Sequence, residues 1–158
     1  MKIAGSHTLH APRGDVWSLI LEPEALKVLI PGCQHLEQTS PDEFRGRIQI
    51  QMASVGGTYD TFVKIVERHP PRHCRFEGEV HGPTGIVQGQ ASFSLQEMSQ
   101  NTLISYEAEA LVTGALSKLS ARFIEGVAET LIKQGLSRLD QRLQPDWPVG
   151  ASSTEPSD

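Results

Sequence analysis

Apolar and polar residues alternate from the first residues of the chain. Ile3, Gly5, His7, Leu9 and Ala11 share one parity, and Lys2, Ala4, Ser6, Thr8 and His10 the other. A period of two predicts a half-buried strand. The same alternation returns five more times. It runs through Phe44, Gly46, Ile48, Ile50 and Met52, then through Tyr59, Thr61, Val63 and Ile65. Cys74, Phe76, Gly78 and Val80 follow, then Val87, Gly89, Ala91, Phe93 and Leu95, then Ile104, Tyr106, Ala108, Ala110 and Val112. Ser40-Pro41-Asp42, Gly56-Gly57, Pro70-Pro71, Gly82-Pro83-Thr84-Gly85 and Gln100-Asn101 separate these runs with turn chemistry. Successive strands joined by short turns predict an antiparallel meander.

Helical spacing interrupts the strands twice. Pro12 suits a first helical turn, and Val16, Trp17, Leu19 and Ile20 supply an apolar side. Pro23 restarts a second short helix with Leu26, Leu29 and Ile30, which Pro31-Gly32 stops. Ala115 to Leu143 contains no proline and reads as one long helix. Its stripe passes through Leu116, Leu119, Phe123, Val127, Leu131, Ile132, Leu136, Leu139 and Leu143, winding as a helix laid on a twisted sheet requires. Glu129 and Lys133 are expected on its opposite side as a solvated pair. The expected organisation is an α+β helix-grip domain over residues 1–143, a curved antiparallel sheet wrapped around the C-terminal helix. Residues 144–158, rich in Pro, Ser, Gly and acids, are expected to form a disordered polar tail containing Trp147.

Gly5, Gly46, Gly78 and Gly89 all fall on the apolar parity of their strands. Inward strand glycines mark bends or close approaches. They either let the long helix come close or leave a ligand cavity; both need the same missing side chains. A cavity would be lined by Leu9, Ile48, Ile50, Val63, Phe76, Val80, Val87, Phe93, Ala108, Leu119 and Phe123, with His7, Tyr59, Thr61 and Tyr106 as its sparse polar groups. Apolar walls with a few convergent polar atoms suit a flat or elongated hydrophobe bearing one or two oxygens.

Composition narrows the function further. At 158 residues the chain fits one domain, able to bury roughly two-thirds of its unfolded surface without metal or disulfide. A formal net charge of -5 argues against nucleic acid. Cys33 and Cys74, the only cysteines, read as reduced, partly buried thiols. No signal peptide and no apolar run of the ~20 residues that span a bilayer is visible, so a cytoplasmic protein is expected.

Catalytic chemistry finds little support. His7 is the inward acid/base candidate, with Tyr59 or Tyr106 as partner, and its bland counterpart is a core histidine satisfied by a tyrosine or backbone group. Glu77, Glu79, Glu107 and Glu109 lie on the outward parity and read as a solvated face. His73 and His81 also point outward, while His10, His35 and His69 sit near loops, so no metal site is expected. Cys33 beside His35 is a weak nucleophile arrangement. There is no phosphate-binding glycine motif, and no cofactor is expected.

Ala11-Pro12 with Val16-Trp17, Ile30-Pro31-Gly32-Cys33, Pro70-Pro71-Arg72, Gly82-Pro83-Thr84-Gly85 leading to Gly89, and Tyr106-Glu107-Ala108 leading to Val112-Thr113-Gly114-Ala115-Leu116 occur in a fairly specific order and spacing. In these the chain resembles the carbon monoxide dehydrogenase G-subunit family, within the SRPBCC (START-like, helix-grip) superfamily. The resemblance implies an internal hydrophobic cavity for a lipid or quinone. It also implies an accessory role beside a molybdenum hydroxylase of the carbon monoxide or xanthine dehydrogenase type, and recruitment of such enzymes to membranes. It carries no shared catalytic motif. Two departures stand out: the chain ends in a short polar tail rather than a long anchoring extension, and His7 stands where an apolar residue is expected. Membrane contact at the inner face is therefore expected to be transient at most. A non-catalytic carrier or accessory protein is the leading expectation. A START-like cyclase, dehydratase or hydrolase using His7, and a ligand-free protein-interaction partner, stand as alternatives.

Overall fold

The computed structural model describes residues 1–52 and 54–144. The expected tail beyond Gln144, Trp147 included, lies outside the described residues. The order of elements is β1 (Lys2–Leu9), α1 (Arg13–Ile20), α2 (Pro23–Leu29), β2 (Cys33–Ser40), β3 (Glu43–Ile50), β4 (Gly57–His69), β5 (His73–Gly82), β6 (Gly85–Met98), β7 (Asn101–Thr113), a 3-10 turn (Gly114–Lys118) and α3 (Ala121–Arg142). One seven-stranded sheet has the order β1-β7-β6-β5-β4-β3-β2, every pair antiparallel. The meander runs from β2 to β7. It returns to β1, so β1 and β2 form the two edges and α1 and α2 carry the chain between them.

The meander is as the alternation predicts, with one strand more. β2 has the sequence CQHLEQTS, in which only Leu36 is buried. An edge strand that is polar on both faces has no period-two signal to read. Register shifts interrupt β2–β3 between Cys33 and His35 and between Gln38 and Ser40, and β4–β5 between Ile65 and Glu67. Such bulges bend a sheet and increase its twist.

The long helix begins later than its apolar stripe suggests. Gly114, at φ +79°, takes β7 into the 3-10 turn, and the chain breaks before α3. Ser120 then caps α3, its Oγ accepting the Phe123 N–H at 3.1 Å. Leu116 and Leu119 therefore precede the helix rather than forming its first turns. At the far end the Asp140 carboxylate takes the His10 backbone N–H at 2.8 Å, and its other oxygen lies 2.8 Å from His10 Nδ1. This fastens the C-terminal end of α3 to the end of β1. Gly135 lets α3 press on α2, since a Cβ there would meet the Leu29 carbonyl at 3.2 Å.

The interior divides into two clusters. The larger joins Leu9, Val16, Ala25, Leu29, Phe44, Ile65, Cys74, Phe93, Leu95, Ile104 and Leu139, with Trp17, Leu136 and Leu143 packed on it. Thr102 is fully buried within this region and its hydroxyl donates to the Ala11 carbonyl at 2.8 Å, so the burial leaves no orphaned hydrogen bond. The smaller cluster has Val55, Tyr59 and Leu116 at its centre, with Ile50, Val80, Val87, Val112, Leu119, Ile124 and Val127 around them. α3 spans from one to the other.

Candidate functional site

Between the two clusters the inner face of the sheet is made of small or half-buried residues. Register places Ile65, Phe76, Ala91, Ala108 and Ile3 in one row across β4, β5, β6, β7 and β1. The next row is Phe44, Val63, Gly78, Gly89 and Ala110, and the one after is Gly46, Thr61, Val80, Val87 and Val112. Val63, Phe76, Val80, Val87 and Ala108 are each only half-buried although they share the face that α3 crosses. Apolar side chains on an enclosed parity that stay half-buried are those the helix does not cover.

The four inward glycines divide by what occupies the place of the missing side chain. At Gly5 it is the phenol of Tyr106, laid across from the facing strand. At Gly89 it is the Glu109 carbonyl of β7, and at Gly46 the His35 carbonyl of β2, 2.9 Å from where a Cβ would stand. Gly78 is the least crowded of the four, yet a Cβ there would still press on the Phe62 carbonyl of β4 at 3.3 Å, with Val63 Cγ2 at 3.8 Å. The glycines thus let neighbouring strands and a ring approach closely. None of these nearest neighbours is a helix atom, and none of the four glycines leaves open space.

The remaining lining residues sort by depth. Leu9, Phe93 and Tyr59 are buried in the packed clusters, while Ile48, Ile50 and Leu119 are half-buried around them. Phe123 is 41% exposed, away from the side of α3 that packs. A stripe drawn at a spacing of four drifts off a face of period 3.6, which explains that residue's place.

The polar groups fall in separate places. Tyr59 donates to the Val55 carbonyl at 2.6 Å and lies 3.0 Å from Thr84 Oγ1, while Thr84's carbonyl accepts the Leu116 N–H at 2.8 Å. Its hydroxyl knits the β3–β4 loop, the β5–β6 turn and the 3-10 turn together. It is also several strands away from His7, so it is no partner for that ring. Tyr106 is. Its ring covers Gly5, and His7 is two residues along on the same face of β1. Burial pushes the Tyr106 phenol above its usual range, and the Glu129 carboxylate adds to the shift. The expected ion pair of Glu129 with Lys133 does not form among the described residues, and the Glu129 charge acts on this inner-face tyrosine instead. Thr61 Oγ1 is buried with no hydrogen-bond partner among the described residues.

The outer face carries a different concavity, open and about 710 Å³ in volume, bordered by Arg45, Phe62, Lys64, Glu77, Glu79 and Leu111. Arg45 stacks over Phe62 at 4.9 Å, and His81 bonds to Glu79 at 2.8 Å. Its charges of both signs make it a solvated surface rather than an apolar site. Among the described residues no three His, Cys, Asp or Glu side chains are grouped to hold a metal ion.

The family model of the carbon monoxide dehydrogenase G subunit, CoxG, matches residues 5–144. The chain belongs to that family. Its fold is START-like: a conserved protein from Geobacillus kaustophilus superposes with a TM-score of 0.87 at 27% identity, covering 90% of this chain and 95% of that one. A START superfamily protein from Mycobacterium smegmatis gives 0.72 at 13% identity, covering 90% and 96%. A protein from Chromobacterium violaceum gives 0.71 at 16%, covering 92% and 99%. No curated protein matches the sequence.

In this CoxG family member the inner face offers half-buried apolar walls and a few hydroxyls. No helix among the described residues is long and apolar enough to cross a membrane. Chemically such a face can desolvate a hydrophobe and satisfy one or two of its oxygens.

Proposed function

We propose that this protein is a non-catalytic carrier that holds an apolar, oxygen-bearing molecule of lipid or quinone type between α3 and the sheet. It serves as an accessory protein to a molybdenum-containing dehydrogenase, as its family membership suggests. One observation carries the binding reading: Val63, Phe76, Val80, Val87 and Ala108 face the helix yet stay half-buried. Covering apolar surface is favourable by about 25 cal/mol per Å², and a hydrophobic ligand supplies that cover. The outward placement of Glu77, Glu79, Glu107 and Glu109 supports holding over transforming, since it keeps acid/base carboxylates of the sheet away from the ligand. Native mass spectrometry of the purified full chain, followed by analysis of its organic extract, tests this. A co-purifying lipophilic species is expected. An extract without one, with an added naphthoquinone giving no thermal stabilisation, overturns the reading.

The juxtaposition of His7 and Tyr106, with Glu129 acting on the phenol, favours a second reading in which the same site catalyses proton transfer. It requires that His7→Ala abolish turnover of a bound ligand while leaving its affinity intact. Binding without any turnover in the wild type removes it.

A further inference from the structure

The outer face of the sheet carries a charge pattern that is its own complement. Register sets Glu43, Lys64, Glu77, Gln90, Glu109 and Lys2 in one row across β3, β4, β5, β6, β7 and β1. The next row is Arg45, Phe62, Glu79, Gln88 and Leu111. Every residue of both rows is exposed. Outward from the midline between β5 and β6, each group on one side finds its counterpart on the other. Glu77 answers Gln90, Lys64 answers Glu109, and Glu43 answers Lys2. In the second row Glu79 answers Gln88, and Phe62 answers Leu111. These two apolar side chains are 37% and 60% exposed. Arg45 stacks over the Phe62 ring at 4.9 Å, and His81 lies nearly perpendicular to it at 5.8 Å. The ring is thus held in place while part of its surface faces solvent. Neither Lys64 nor Glu77 has an ion pair within its own chain among the described residues.

We infer that this outer face docks a second copy of the chain, sheet on sheet, about a two-fold axis that runs along the strands between β5 and β6. That axis sets β4 of one copy over β7 of the other, and β5 over β6. Lys64 then meets Glu109 and Phe62 meets Leu111, each twice, as two-fold symmetry requires. The Gln90 and Gln88 amides donate to the Glu77 and Glu79 carboxylates. The open concavity of about 710 Å³ lies over β5 and β6, between Phe62 and Lys64 on one side and Glu109 and Leu111 on the other. Glutamate and glutamine side chains from both copies are long enough to fill it. Twisted sheets stack face to face with strand directions within about 30°, so Lys2 and Glu43 at the row ends stay within reach of each other. One flanking row sets Arg75 opposite Ser92 and Glu67 opposite Glu107. Glu67 is already paired in its own chain, with His69 at 2.8 Å and Arg75 at 3.4 Å. The other flanking row sets Asp60 opposite Thr113 and His81 opposite Ile86. Strands about 4.8 Å apart and four such rows cover roughly 600 Å² per copy, or about 1,200 Å² in all, the low end of specific interfaces. A row of one sign would select an oppositely charged partner, whereas a row that complements itself selects its own copy. The helices lie on the other face of the sheet and take no part in this contact.

Analytical ultracentrifugation of the full chain from about 1 to about 500 µM tests this, since an interface of that size dissociates in the micromolar range. A monomer–dimer equilibrium is expected. Leu111→Lys is expected to weaken it by at least about tenfold, because the new cation meets Phe62 and Arg45 of the other copy. Lys64→Glu and Glu109→Lys are each expected to weaken it by about as much, since each sets like charges together twice per dimer. An equimolar mixture of these last two variants is expected to recover wild-type association as a mixed dimer, because the reversed charges then face each other. Within one chain the two positions are three strand spacings apart, roughly 14 Å. That exceeds the screening length of about 8 Å at physiological salt, so recovery on mixing reports contact between copies. All three variants are expected to melt as the dilute wild type does. A wild type that stays monomeric at every concentration, its outer face left to another protein or to solvent, overturns the inference. So does a dimer indifferent to Leu111→Lys, and so does a pair of charge variants that fails to recover on mixing.

Discussion

Leu9, Cys74 and Leu139 are enclosed at one end of the inner face, whereas Val80, Val87 and Val112, on the same parity of the sheet, stay half-buried. The difference lies in what covers them. The first region has three layers of partners: the sheet, the C-terminal half of α3, and α1 with α2, whose Trp17 reaches Phe93 at a ring separation of 6.1 Å. The second has only the N-terminal half of α3 and the 3-10 turn, tied down by the Tyr59 hydroxyl. Stability is thus concentrated where the helix is clamped, and space is kept where it is not. A protein that must open for a ligand without unfolding needs that separation, because local openings draw on regions with few buried contacts.

Substitutions on the two sides measure the contrast. Leu139→Ala is expected to cost about 2–5 kcal/mol and to lower the melting temperature on the order of 10 °C. Val87→Ala in the loose region is expected to cost well under half of that, since part of its surface is already solvated. Equal losses in thermal melts would erase the distinction. Tyr59→Phe, next in size, leaves the Val55 carbonyl without its donor. The expected cost is about 1–3 kcal/mol, with faster hydrogen exchange in the β5–β6 turn and the 3-10 turn, and no change around Leu139.

Much of the first region was legible in the sequence, and much of the second was not. Alternation at Ile3, Leu9, Phe93 and Ile104 marks core residues because their partners are other strands of a regular meander. β2 escaped because only Leu36 among its eight residues is buried. The inward glycines were visible as a pattern, but whether they open space depends on what fills each gap. Tyr106 fills Gly5, strand carbonyls fill Gly46 and Gly89, and these are tertiary facts. Thr61 was recognisable as inward and polar, while its lack of a partner was not. The reach of Glu129 to Tyr106 could not be read because the winding of α3 over the sheet decides which helix face the phenol meets.

Two smaller effects sharpen the comparison through ionisation. Tyr106 has its pKa raised in the folded state, by burial first and by Glu129 second. The unfolded chain therefore gives up this proton more readily. The associated stability is fully present below the ordinary tyrosine pKa, about 10, and is lost as pH rises through the folded value. Denaturant melts between pH 9 and 11 (roughly the window around that pKa) should show the wild type losing more stability than Tyr106→Phe. Parallel curves would contradict the enclosed phenol. The thiols give the smallest signal. Burial pushes both Cys33 and Cys74 up, so both alkylate more slowly than a free thiol near neutral pH. Cys74, wholly enclosed in the clamped region, should react only on unfolding, and Cys33 should react in the native state. Equal native rates would place Cys74 outside the packed core.

The most direct measurement is methyl NMR of the full chain titrated with dimethylnaphthoquinone. The account predicts that shifts concentrate at Thr61, Val63, Val80 and Val87, with Leu9, Leu95 and Leu139 unmoved. Shifts confined to Leu111 on the outer face, or spread evenly across both regions, would contradict it.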